Sequence, residues 1–114
     1  MGIFFAAQAT RGPEDAAYAM TIQYCGAWGY NVYADEIIAK VDAWYPGQFK
    51  YALNKDAGMT GRLEVTLQKG TGPAEMVHTK KGGQGLTNED WTGFETRLKE
   101  SMAKINLWVL LDLS

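Results

Sequence analysis

The chain has 114 residues, of which 46% are hydrophobic and 21% charged, and this length corresponds to one domain. The composition excludes a disordered chain, and no apolar run approaches the roughly 20 residues of a membrane-spanning helix. The net charge of −2 provides no basic surplus for binding nucleic acid. A single Cys and a single His exclude an internal disulfide framework and argue against a structural zinc site. We therefore expect no nucleic acid, no membrane and no metal as partners.

The two ends of the chain differ in composition from its middle. Residues 1–18 contain a short apolar run at 3–7 and a turn-forming segment at 11–15, and we expect a flexible extension there. The apolar run follows no basic residue and is too short for a secretory signal. Residues 107–114 form an apolar C-terminal tail, which we expect to pack on the domain or to mark a partner surface. The domain itself is predicted at 19–106.

Hydrophobic periodicity predicts the elements in chain order. A first strand shows alternating apolar and polar residues, and a first helix follows with apolar residues every three or four positions until Pro46 and Gly47 end it. Two further strands form a hairpin around a turn rich in glycine. Thr87 to Asp90 resembles a capping box before the second helix. The predicted strands are 20–25, 48–53, 62–67 and 74–79, and the predicted helices are 33–45 and 91–105.

The predicted element order is β-α-β-β-β-α. A strand, a helix and a strand in succession form a crossover between parallel strands, and the hairpin adds antiparallel strands to the same sheet. We therefore predict an α/β (α+β) fold with a four-stranded mixed sheet and two helices. This is the thioredoxin-like architecture in minimal form.

Cys25 lies where the first strand is predicted to end and the first helix to begin. Because the free N–H groups and the dipole of a helix N-terminus stabilise an anion, this position favours a reactive, partly exposed Cys with a lowered pKa. The alternative is a small buried hydrophobe, which is the usual role of a lone Cys. A redox site of the C-x-x-C type needs a second chalcogen three residues later, but residue 28 is Trp.

The segment Tyr-Cys-Gly-Ala-Trp-Gly-Tyr at 24–30 resembles the active-site loop of the selenoprotein W family, with Trp28 at the position of selenocysteine or Cys. The resemblance continues in order through 45–47, 60–65 and 77–85 and covers about residues 20–104. It implies a thioredoxin-like fold and thiol- or selenol-dependent redox activity. The reactive pair would then be Cys25 and residue 28, in a loop that also contains Gly26, Ala27 and Gly29.

The resemblance also bears on partners and on a second loop. It implies glutathione as a possible reductant, no bound cofactor, and proteins of the 14-3-3 type as possible partners. In thioredoxin-like folds the segment that enters the third strand faces the reactive Cys, so Met59 and Thr60 are candidate substrate-facing residues. This chain lacks the cis-Pro that usually occurs in that segment.

Three explanations of Trp28 stay open. A UGA codon for selenocysteine is read as Trp, or a natural relative has lost its redox pair and kept the fold as a protein-interaction module, or Cys25 works alone with glutathione. One unpaired Cys fits a reducing cytoplasm better than secretion.

We expect His78 to lie at the surface. Lys80 and Lys81 either attract an anionic partner such as glutathione or are simply solvated.

Overall fold

The computed structural model describes residues 9–112, which form one five-stranded sheet and two α-helices. A π-helical turn at Lys80–Gln84 and a 3₁₀ turn at Thr87–Glu89 lie between the last strand and the last helix. The strands are β1 (Ala9–Arg11), β2 (Tyr18–Tyr24), β3 (Phe49–Lys55), β4 (Leu63–Gln68) and β5 (Glu75–Thr79), and the helices are α1 (Asn31–Trp44) and α2 (Trp91–Asp112).

The strand order across the sheet is β1-β3-β2-β4-β5. The neighbours β2 and β3 are parallel and joined by α1, whereas the other three neighbouring pairs are antiparallel. This confirms the predicted thioredoxin-like α/β fold with a mixed sheet. Tyr24 pairs with Lys55 on one side and with Leu63 on the other. The loops after β2 and β3 and before β4 therefore meet at one end of the sheet.

The sheet has one strand more than the predicted four. The additional strand, β1, lies inside the segment expected to be a flexible extension, and it pairs with β3 at the edge of the sheet. Arg11 of β1 also forms an ion pair with Asp35 of α1 (2.8 Å). All three residues of β1 are exposed, so no burial pattern marks this strand in the sequence. The expectation for residues 1–8 lies outside the described residues.

The second helix is longer than predicted. It continues through residues 107–112, so the described part of the expected apolar tail is helical. A cavity of about 270 Å³ separates this helix end from the β4–β5 turn, with Pro73, Ile105 and Trp108 in its lining. The exposed apolar side chains of the helix end are those of Leu107, Trp108, Val109, Leu110 and Leu111.

A single apolar core lies between the sheet and the helices, because alternate residues of β2, β3 and β4 point the same way. An aromatic contact joins the two helices, with the rings of Trp44 and Trp91 at a centroid distance of 6.3 Å. Burial of each large side chain contributes about 1.5–3 kcal/mol. The largest fully buried side chains include those of Tyr51, Phe49, Phe94, Met20, Ile22 and Ile37.

The second helix begins with a cap different from the predicted one. The Asp90 carboxylate accepts a hydrogen bond from the Gly93 N–H (2.9 Å), which satisfies one of the free donors at the helix start. Thr87, predicted as the capping residue, lies in the 3₁₀ turn before the helix.

The prediction of a surface position for His78 is wrong. The pairing of β4 and β5 shifts register between Val65 and Thr66, and across this bulge the consecutive residues Val77 and His78 are both buried. A bulge of this kind breaks the alternation on which the prediction relied.

The buried imidazole of His78 connects β5 to α2. Arg97 donates a hydrogen bond to Nδ1 (2.9 Å), so Nε2 carries the proton and donates to the Gly85 carbonyl (2.7 Å). Burial lowers the pKa of His78; the bond to Gly85 opposes this shift, and the Arg97 charge adds to it. The ring is therefore neutral in the folded chain near pH 7.

We expect the free energy of unfolding to decrease as the pH falls below about 6.5, the ordinary pKa of His. Because the folded-state pKa of His78 is lower than this, the unfolded chain takes up a proton that the folded chain does not. The stabilisation is complete above the unfolded-state pKa and is lost as the pH falls toward the folded-state pKa. Urea titrations between about pH 7.5 and 5.5 measure this loss.

The control for this experiment is His78→Gln, whose amide keeps one donor and one acceptor but does not titrate. It should be less stable than the wild type and have a flatter pH profile. A wild-type free energy of unfolding that stays constant between about pH 7.5 and 5.5 would contradict a lowered pKa of His78 in the folded chain.

Candidate functional site

The candidate site is built by two loops at one end of the sheet. Cys25 directly follows β2, and its backbone N–H donates to the Arg62 carbonyl (2.9 Å). The next N–H, that of Gly26, donates to the Gly58 carbonyl (3.0 Å). These two bonds fasten the loops to each other. We call them the cysteine loop, residues 25–30, and the facing loop, residues 56–62.

The Cys25 side chain lies beneath the surface, with 1% of the residue exposed, so the expectation of partial exposure is wrong. Burial raises the pKa of the Cys25 thiol, but hydrogen bonds from the N–H groups of Ala27, Gly61 and Thr60, and from the Thr60 hydroxyl, outweigh it. The net pKa is below the ordinary value. The Ala27 nitrogen lies 3.4 Å from Sγ, while the protonated thiol donates to the Gly58 carbonyl (Sγ–O 3.8 Å).

The lowered pKa of Cys25 agrees with the predicted direction, but its cause is different. The first helix begins only at Asn31, six residues after Cys25. The groups that stabilise the thiolate are therefore N–H groups of the two loops rather than the free donors of the helix N-terminus. The sequence located the turn correctly, but the interpretation of Cys25 as a helix-start residue was wrong.

The two candidate residues of the facing loop differ in their relation to the thiol. Thr60 lies close to the Cys25 sulfur, and its backbone N–H helps to lower the pKa of the thiol. The Met59 side chain, by contrast, is 70% exposed. The structure thus brings Thr60 to the reactive atom and leaves Met59 facing solvent beside it.

Asp56 is the residue of the site that sequence reasoning misses. Its side chain is 4% exposed, and Arg62 donates to both carboxylate oxygens, from Nε to Oδ2 (3.0 Å) and from Nη2 to Oδ1 (2.7 Å). Gln23 and Thr60 donate to the same carboxylate. In the sequence, Asp56 has the appearance of an ordinary loop residue between β3 and Gly58, and no spacing distinguishes it.

The charge of Asp56 fixes the facing loop. The hydrogen bonds from Arg62 hold the pKa of the Asp56 carboxyl down to about 2, although burial opposes this shift and Thr60 and Gln23 assist it. Because the Thr60 hydroxyl has one proton and lies 2.5 Å from Asp56 Oδ2, that proton is engaged by the carboxylate. The backbone N–H groups are therefore the main donors to the Cys25 thiolate.

Two glycines allow the cysteine loop its path. A β-carbon added to Gly26 would lie 2.0 Å from the Asp56 carbonyl oxygen, so only Gly permits the two loops to approach this closely. Gly29 has a φ of +68° and open space around it. Glycine is favoured there because it adopts a left-handed backbone without strain, and not because a side chain would clash.

Trp28 occupies an unusual backbone conformation and an exposed position. Its φ is 58°, in the left-handed region that costs a bulky residue about 1–2 kcal/mol. The residue is 66% exposed, and its indole contacts the Tyr30 ring at a centroid distance of 6.5 Å. Cys25 and Trp28 therefore lie on the same loop but in different environments.

Across residues 9–112, no group of three or more His, Cys, Asp or Glu side chains is arranged to hold a metal ion. In the same part of the chain, no helix has the length and apolar character needed to cross a membrane.

We expect Asp56→Asn to lower the free energy of unfolding near pH 7 by about 1.5–3 kcal/mol, the range for hydrogen bonds to a charged group. The folded-state pKa of about 2 is below the ordinary 3.8, so this stabilisation is present above the ordinary pKa and is lost as the pH falls toward about 2. The stability difference between wild type and variant, followed by denaturation from about pH 6 to 2, should therefore shrink. A difference that is independent of pH would contradict the charged state assigned to Asp56.

The two glycines provide a matched pair of substitutions. Gly26→Ala should destabilise the chain by about 3 kcal/mol or more, because the new methyl group forces the facing loop away. Gly29→Ala should cost only about 1 kcal/mol, the price of the left-handed backbone. Urea denaturation of both variants measures the difference, and equal effects would disprove close packing of the two loops.

Comparison with known proteins finds relatives of this chain among the selenoproteins W. No protein-family model matches the chain. Selenoprotein W of the chicken, Gallus gallus, is 31% identical over 71 residues, which are 62% of this chain and 78% of that protein. Selenoprotein W of the mouse, Mus musculus, is 29% identical over 90 residues, which are 77% of this chain and 97% of that protein. Because the chicken protein is more than 30% identical and is covered over 78% of its length, the resemblance to this family is confirmed, and the chain belongs to the selenoprotein W family.

Proposed function

We propose that the chain is a thiol-dependent redox protein in which Cys25 and residue 28 are the native reactive pair, with Trp28 in the place of selenocysteine. The observation that supports this most directly is the set of N–H donors around the Cys25 sulfur, from Ala27, Thr60 and Gly61. A thiolate is the reactive form of a Cys, and such donors raise its population at neutral pH. Membership of the selenoprotein W family supports the same redox activity.

The proposed reaction is thiol–disulfide exchange. The Cys25 thiolate attacks one sulfur of a substrate disulfide; a new S–S bond forms, the old one breaks, and the second sulfur leaves as a thiolate. A selenolate or thiolate at position 28 would then attack Cys25 Sγ, close a bridge and release the bound half of the substrate as a thiol. Two molecules of glutathione would supply the two electrons that reopen the bridge. Trp28 has no chalcogen, so this chain stops at the mixed disulfide.

The buried position of Cys25 adds a requirement to this mechanism. With 1% of the residue exposed, a substrate sulfur reaches Sγ only after one of the two loops moves. Such a movement also separates the sulfur from donors of the facing loop. The reaction therefore depends on a brief opening that keeps the Ala27 N–H in place, because this donor belongs to the cysteine loop itself.

A second function is favoured by the apolar surface around the site. Trp28, Val32 and Met59 are 66%, 55% and 70% exposed, and they lie on the cysteine loop, on α1 and on the facing loop. Exposed apolar side chains around one site suit a protein partner. A non-enzymatic interaction module, with partners of the 14-3-3 type that the family resemblance suggests, is therefore the alternative. In either case we place the chain in the cytoplasm, where a free thiol stays reduced.

Replacing Trp28 with Cys tests the proposed pair. After mild oxidation, Trp28→Cys should form a disulfide with Cys25, because the positions i and i+3 of this loop are those of a redox pair. The product should be lighter by two hydrogen atoms in intact-mass analysis and should return to the reduced mass with dithiothreitol. The variant should also gain disulfide-reductase turnover with glutathione, which the wild-type chain lacks.

Two controls make this test specific. Trp28→Ser removes the indole without adding a thiol and should gain no turnover. The double variant Cys25→Ser, Trp28→Cys keeps the new thiol and should form no internal bridge. If Trp28→Cys folds but its two thiols never bridge, the redox proposal fails and the interaction module becomes the better assignment.

A further inference from the structure

A lysine that directly follows the edge strand β5 reaches the candidate site. A β-carbon added to Gly61 would lie 3.8 Å from Lys80 Nζ, so the ammonium group lies directly over this glycine of the facing loop. Arg62, the residue after Gly61, accepts the hydrogen bond from the Cys25 backbone N–H (2.9 Å), and the Gly61 N–H contributes to the lowered pKa of the thiol. A positive charge therefore lies beside the part of the facing loop that contacts Cys25.

The backbone on both sides of Lys80 is held in place by Glu64 of β4. The Glu64 carboxylate accepts a hydrogen bond from the Thr79 hydroxyl (2.5 Å) and another from the Lys81 N–H (3.2 Å). These bonds anchor the π-helical turn against β4, next to the facing loop. The position of the Lys80 ammonium over Gly61 is thus supported by the fold.

The charges around the site leave the Lys80 ammonium available to a ligand. Asp56 is neutralised by Arg62, and Glu64 is engaged by Thr79 and by a backbone N–H. Among residues 9–112, no carboxylate forms an ion pair with Lys80. The side chain is only partly exposed, which strengthens its interaction with a nearby anion relative to a fully solvated charge.

We propose that Lys80 determines substrate specificity by selecting disulfides that carry a carboxylate close to the reacting sulfur. This inference rests on the proposed function, because it concerns the exchange reaction of Cys25. An ammonium group beside the site attracts an anionic disulfide and orients it, whereas an uncharged disulfide gains nothing. The chemical step is unchanged: Cys25 Sγ bonds to one substrate sulfur, and the other leaves as a thiolate.

Two aromatic disulfides test this inference on the wild-type chain. Dithiobis(nitrobenzoate) carries one carboxylate on each ring, and dithiodipyridine is its uncharged counterpart; both release a coloured thiol. The quantity to measure is the second-order rate constant of Cys25 with dithiobis(nitrobenzoate) divided by that with dithiodipyridine. The thiolate fraction of Cys25 cancels in this ratio. The ratio in Lys80→Gln should be lower than in wild type by about three- to fivefold, the effect of one nearby charge in a largely aqueous setting.

Three comparisons make the result specific. Lys80→Arg keeps the charge and should retain the wild-type ratio. Lys81→Gln removes the neighbouring charge, keeps the backbone bond to Glu64, and should change the ratio less than Lys80→Gln does. The difference between wild type and Lys80→Gln should also vanish at about 1 M salt, where the Debye length is about 3 Å.

The possible outcomes separate this inference from the proposed function. If Cys25 reacts with both disulfides but the ratio is the same in wild type and Lys80→Gln, or falls equally in Lys81→Gln, the role of Lys80 is disproved and thiol exchange stands. If folded wild-type chain reacts with neither disulfide, both the proposed function and the role of Lys80 are disproved.

Discussion

The ion pair between Asp56 and Arg62 holds together the end of the sheet on which the site depends. Strand pairing brings the ends of β2, β3 and β4 close to one another, but it leaves the connecting loops without a fixed conformation. The Asp56 carboxylate accepts hydrogen bonds from Gln23, Thr60 and Arg62 and so joins β2 to the facing loop and the beginning of that loop to its end. A buried carboxylate with several donors is rigid, because removal of any one of them leaves part of its charge unsatisfied.

That rigidity explains how a buried thiol is acidic. Burial alone would raise the pKa of Cys25, and the net lowering depends on donors that the facing loop presents. Access and acidity are therefore opposed: a movement that uncovers Sγ also withdraws Thr60 and Gly61. A chain that places its thiolate at a helix N-terminus avoids this conflict, because helix donors stay in place when a loop moves. In this chain the reactivity of Cys25 is tied to the integrity of two loops.

Periodicity predicted β2, β3, β4 and both helices because each has a buried face that repeats at a regular interval, whereas β5 was predicted from the turn rich in glycine that joins it to β4. It also predicted the parallel pair and the location of the cysteine turn. It could not predict β1, which is three exposed residues, or the burial of His78, which depends on a bulge at Val77 in the pairing of β5 with β4. The role of Asp56 was equally hidden. Its partners Thr60 and Arg62 lie in the same loop at spacings that form no known motif, and Gln23 reaches it only through the pairing of β2 with β3.

The exposed position of residue 28 has a consequence for how the cell handles this protein. The indole takes no part in the apolar core, and the left-handed backbone at this position is strained for any residue that carries a β-carbon. A ribosome that inserts any of these residues therefore yields a chain of the same fold. Chaperones and proteases act on the unfolded population and have no means of sorting chains that differ only at this position. If Cys25 and residue 28 form the proposed redox pair, the identity of residue 28 would decide whether a folded chain is redox-competent, without a change of fold.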